Sequence, residues 1–198
     1  MCLLAAPRIA AAEWHITPML GATFAGKTTL FNPGSAVEKR HKDFGGAVTV
    51  LGAGVLGAET IIVFTPGAFQ TKITPLTPNT GADFLKSSRT IALMGNAVLT
   101  VPRRWTEYFL RPFVSGGFGV LHARQVQLID ALPPLNVNMA GLNVGGGAIG
   151  FLTKRTGVRF DLRYYRTLHG AAPEDALPSP ALIRLRYMTA SIGVVIRR

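Results

Sequence analysis

Gly157-Val-Arg-Phe-Asp-Leu-Arg-Tyr-Tyr-Arg-Thr-Leu168 alternates apolar and polar side chains along most of its length. In an extended chain Val158, Phe160, Leu162 and Tyr164 share one face, and Arg159, Asp161, Arg163 and Tyr165 share the other. This period of two predicts a half-apolar β-strand. Alternation alone does not say which face meets water.

Working outward, strand-like stretches lie near 14–24, 43–53, 56–66, 89–102, 106–122, 139–152, 157–168 and 183–196. Connections alternate in length. Those after the first, third, fifth and seventh stretches (Ala25–Lys42, Gly67–Ser88, Ala123–Asn138 and His169–Leu182) carry the Pro, Asn, Ser and charge of loops. The others are tight, around Gly54, Arg103–Trp105 and Thr153–Thr156. Short turns at one end, long loops at the other and an even strand number belong to transmembrane barrels. The expected fold is therefore all-β, an eight-stranded antiparallel up-and-down transmembrane β-barrel. Both termini fall on the short-turn, periplasmic side. Pro18 and Pro112 each forfeit a ladder hydrogen bond, so bulges are expected there.

Composition agrees. Hydrophobic residues make up 48% of the 198 and charged residues 16%, yet no run of about 20 apolar residues exists to form a spanning helix. Mean hydropathy is +0.29. The formal charge of +11 is scattered rather than gathered, which suits anionic head groups better than nucleic acid, and no nucleic-acid partner is expected. The single cysteine, Cys2, excludes an internal disulfide. It lies in residues 1–12, MCLLAAPRIAAA, which resemble the tail of a signal peptide cleaved after Ala12. The barrel domain is then 13–198.

Three nucleotide-binding patterns fail on context. Gly21–Thr28 matches G-x-x-x-x-G-K-[ST], but Pro33 stops any following helix. Gly52, Gly54 and Gly57 satisfy G-x-G-x-x-G, yet a β-rich run, Thr60–Thr65, follows where a helix is needed. Gly145, Gly147 and Gly150 repeat the pattern, as a glycine-rich chain easily does. In a small barrel, glycine instead leaves room for large interior side chains. His15, His41, His122 and His169 lack metal-ligand spacing, and no catalytic triad is suggested. Neither a cofactor, a metal nor enzymatic activity is expected.

The segments RTIALMGNAVL (89–99), RPFVSGGFGV (111–120), NVGGGAIGFLTKRTGVRFDLRYYRTL (143–168) and the closing RYMTASIGVVIR resemble the outer membrane protein β-barrel domain family, small barrels similar to the OmpA transmembrane domain. The resemblance implies eight strands, a bacterial outer-membrane location and no catalytic residues. One departure is the closing Val194–Arg198, where such barrels usually carry a terminal aromatic read by the barrel-assembly machinery.

The residues then take these expected places. Glu59, Glu107, Arg111, Arg159, Asp161 and Arg163 form an interior charge network, the bland alternative being a solvated row. Val158, Phe160, Leu162 and Tyr164 face lipid. Trp14, Trp105, Tyr108 and Tyr187 lie at the membrane interfaces. Lys39, Arg40, His41 and Lys42 contact lipopolysaccharide phosphates or simply form a solvated basic loop. The expected role is structural, loop-mediated or that of a narrow pore, in a monomer surrounded by outer-membrane lipids. A soluble lipocalin-like ligand-binding barrel is the main alternative, and a dinucleotide-binding enzyme using Gly52, Gly54 and Gly57 the lesser one.

Overall fold

The computed structural model describes residues 12–28, 41–52, 54–67, 85–102, 110–127, 135–169 and 184–198. They form eight strands: β1 Glu13–Thr28, β2 His41–Leu51, β3 Leu56–Pro66, β4 Leu85–Thr100, β5 Leu110–Gln127, β6 Leu135–Phe151, β7 Thr156–Thr167 and β8 Leu185–Arg197. Each strand pairs antiparallel with its sequence neighbours, and β8 returns to β1 to close the barrel. Two backbone bonds join the ends of the closing pair, Trp14 N–H to the Arg198 carbonyl at 3.4 Å and Arg198 N–H to that of Trp14 at 2.9 Å. Closure leaves no unpaired edge, which a sheet exposed to hydrocarbon requires.

The tight turns follow from local chemistry. Between β6 and β7 the Thr153 hydroxyl accepts the backbone N–H groups of Arg155 at 3.2 Å and Thr156 at 2.9 Å. Where the long β3–β4 connection begins, Gly67 takes a φ of 69°, the left-handed region where glycine is unstrained, and donates to the Ser88 carbonyl.

Several boundaries differ from those expected. β1 runs to Thr28, β4 starts at Leu85, β5 ends at Gln127 and β6 starts at Leu135, each about four residues further toward the long-loop end. The added segments, such as Arg124–Gln127 and Asn136–Asn138, are rich in Arg, Gln and Asn and resemble loop by composition, although Val137 keeps the inward parity of β6. Pairing alone makes them strand, with Arg124 opposite Asn136 and His122 opposite Asn138. The expected bulges at both prolines are absent. Pro18 keeps a continuous register with Gly46, and β1–β8 pairing resumes unshifted at Met19. Pro112 sits at the end of the β4–β5 ladder, where Val101 N–H reaches its carbonyl at 3.3 Å. The return bond that proline cannot make is supplied by a side chain, because Arg111 Nε donates to the Val101 carbonyl at 3.2 Å.

Alternation persists around the whole wall. On β7 the buried positions are odd and the outward ones even, so Phe160 and Leu162 are exposed while Val158 and Tyr164 are half-buried on that same outer face. Ile16, Leu20, Phe44, Val48, Ile62, Leu93, Val114, Phe118, Val144, Ile192 and Val194 extend this apolar surface around the barrel. So large an exposed apolar surface is a lipid-facing one. It also overturns the lipocalin alternative, whose apolar faces turn inward while water wets the outside. The nucleotide-binding patterns fail in the same way. Gly21–Thr28 lies within β1, and Gly52 and Gly57 flank the hairpin between β2 and β3, where β3 follows in the place a helix would need.

Candidate functional site: a charged layer inside the barrel

Arg159, Asp161 and Arg163 occupy successive inward positions of β7, which the backbone spaces by roughly 6–7 Å. That spacing lets Asp161 bridge both neighbours. Its Oδ2 accepts Arg159 NH2 at 2.6 Å and Arg163 NH2 at 2.9 Å, and its Oδ1 accepts Arg163 Nε at 2.7 Å. Glu59 arrives from β3 on the opposite wall, four strands away in the closed order. Its two oxygens lie 2.6 Å from Arg159 NH2 and 2.6 Å from Arg163 NH2. Two carboxylates thus meet two guanidiniums through charge-assisted bonds, and the cluster is formally neutral.

Neutral neighbours add to it. Thr49 and Asn96 each donate to Glu59 at 3.1 Å, and Arg159 NH1 donates to the Thr49 hydroxyl at 3.2 Å. The Arg159 guanidinium also lies 4.3 Å from the centre of the Phe113 ring, within cation–π reach. Space for these side chains comes from β6. A Cβ on Gly145 would collide with Arg163, and one on Gly147 with the Phe160 carbonyl and the Phe113 ring.

The charged layer separates two apolar ones. Leu51, Val98, Phe113, Ile149 and Val195 pack together toward the short turns. Ala47, Ile61, Met94, Leu121, Met139, Tyr165 and Tyr187 belong to the other cluster, toward the long loops. On β2 and β4 a single inward residue, Thr49 or Asn96, stands between them. All four charged side chains are at most 1% exposed, so they are shielded from bulk water.

The expected network is therefore divided. Glu59, Arg159, Asp161 and Arg163 come together, whereas Arg111 joins a second group nearer the short turns. There Glu13 lies 3.8 Å from Arg111, 3.3 Å from Arg197 and 3.5 Å from His15. Glu107 lies outside the described residues, as do Trp105, Tyr108, Lys39 and Arg40 and residues 1–11. His41 and Lys42 open β2. Trp14 is exposed on the outer wall near the short-turn end. Tyr187 requires correction. It is buried inside and stacked on Tyr165 at 5.0 Å, because inward positions on β8 are odd while Ile192, Val194 and Ile196 face out. Sequence reasoning missed Glu13, Thr49 and Asn96, although their strand parity marks all three as inward. Among the described residues no group of three His, Cys, Asp or Glu could hold a metal.

The closed, eight-stranded antiparallel wall is shared with solved structures. The chain has the fold of the small eight-stranded outer-membrane barrels. OprG of Pseudomonas aeruginosa is similar at a TM-score of 0.60 and 12% identity, covering 96% of this chain and 97% of that one. The N-terminal barrel domain of OprF from the same organism gives 0.55 and 13%, covering 94% and 97%. Neisserial surface protein A gives 0.54 and 12%, covering 92% and 97%. No family model matches the sequence, and no curated protein does.

Proposed function

We propose that this chain is a non-catalytic outer-membrane barrel that holds four long connections at the cell surface and conducts no steady flux of solutes. The carrying observation is the inverted polarity of the wall, with Glu59, Arg159, Asp161 and Arg163 sealed inside and Phe118 77% exposed outside. An apolar surface that runs around the whole barrel is favourable in lipid. A layer sealed at that depth favours an anchoring and display role over a standing pore, because an eight-stranded interior is just wide enough for side chains. Ala12 and Arg198, the ends of the described barrel, lie on the short-turn side, which supports a periplasmic position for that side with the long connections outside.

Membrane fractionation combined with electrophoresis of boiled and unboiled samples tests this reading. Recovery in the outer-membrane fraction with a heat-dependent mobility shift is expected. A soluble protein with no shift would overturn it.

A further inference from the structure

The pairing register places two pairs of arginines directly opposite each other on the outside of the wall. Arg89 of β4 faces Arg124 of β5, and Arg166 of β7 faces Arg186 of β8. All four side chains are exposed. Like charges directly opposite on a sheet face repel and destabilise the pairing. Among the described residues no carboxylate relieves them, because Asp43, Glu59 and Asp161 are buried inside and Glu13 sits at the short-turn end.

Their level is as informative as their charge. Moving from Arg89–Arg124 toward the short turns, the next outward pairs are Ile91–His122 and then Leu93–Val120. His122 shares a 2.8 Å hydrogen bond with Asn138 on the neighbouring strand. From Arg166–Arg186 the sequence of pairs is Tyr164–Met188, Leu162–Ala190 and Phe160–Ile192. Each arginine pair therefore borders the apolar wall on its long-loop side, with Leu168 exposed beyond Arg166, and faces outward, where a lipid head group begins.

We propose that these two arginine pairs are binding sites for the phosphomonoester groups of anionic lipids in the surrounding leaflet, an inference that rests on the membrane orientation given above. A phosphate between two guanidiniums removes their repulsion and accepts from both planar forks. The fatty chains of the same lipid then lie along Leu93, Val120, Leu162 and Ile192. Continuity of charge with apolar wall selects a phosphorylated lipid over free phosphate.

The test uses the full chain refolded into phosphatidylcholine vesicles, with or without diphosphorylated lipid A, and reads the midpoint temperature of the heat-dependent mobility shift. Lipid A raises the wild-type midpoint by linkage, and each double variant, R89Q/R124Q or R166Q/R186Q, loses about half of that rise. The quadruple variant loses it all, while K154Q/R155Q in the β6–β7 turn keeps it. Without lipid A the variants match or exceed the wild-type midpoint, since repulsion has been removed. An undiminished rise in the quadruple variant, or an equal rise with inorganic phosphate, overturns the proposal. A heat-dependent shift that persists in those cases leaves the barrel reading standing, whereas loss of any shift in every lipid overturns that reading itself.

Discussion

Glu59 touches both arginines of β7 from the far side of the barrel, so its removal tests whether the layer behaves as one unit. Glu59→Gln leaves two buried guanidiniums sharing Asp161, and a loss of about 3–5 kcal/mol in unfolding free energy is expected. Adding Arg163→Met restores neutrality, so the double variant is expected to be less destabilised than the sum of its singles by roughly 0.5–3 kcal/mol. Urea unfolding in detergent micelles measures both, and strict additivity would refute the coupling. Gly147 gives a steric counterpart. Gly147→Ala places a methyl group against the Phe160 carbonyl and the Phe113 ring, with an expected cost of about 1–3 kcal/mol by the same measurement. At this scale parity was legible and partnership was not. Arg159, Asp161 and Arg163 announce a common face in sequence and Glu59 was expected among them, but nothing local separates this group from Arg111, because residues from opposite walls meet only once the sheet closes.

At the level of elements, β7 keeps its two faces in two solvents. Leu162 lies near the middle of that strand on the outer wall, and Leu162→Arg is expected to cost about 2–4 kcal/mol. The same change at Leu152, in the turn between β6 and β7, is expected to cost about 0–1 kcal/mol, because arginine there reaches water. Equal costs at the two positions, read from unfolding in vesicles, would count against a lipid-facing wall. Pro112→Ala is expected to stay within about 0.5 kcal/mol of wild type, since Arg111 already serves the Val101 carbonyl. Strand existence was legible throughout, through period-two alternation and alternating connection lengths. Strand ends were not, because β1, β4, β5 and β6 continue through segments whose Arg, Lys, Ser, Asn and Gln resemble loop by composition until their partner strands are known. Tyr187 shows the converse. Its alternation with Ile192, Val194 and Ile196 marked it as inward, while its nearness to a strand end suggested an interface.

For the whole molecule, closure turns eight amphipathic strands into a wall with separate inner and outer chemistry. With Glu59, Arg159, Asp161 and Arg163 at most 1% exposed, liposomes carrying the folded chain are expected not to swell in a small sugar faster than empty ones. Rapid swelling would show that the charged layer opens. The sequence by itself determined the all-β class, the eight strands and the two faces of each strand, since strand periodicity and turn chemistry are local properties. Only the tertiary structure decided which charges meet, how Glu13 and Arg111 form a separate group, and where arginine stands opposite arginine. Those relations depend on register and on the distance across the barrel, which are set by all eight strands together.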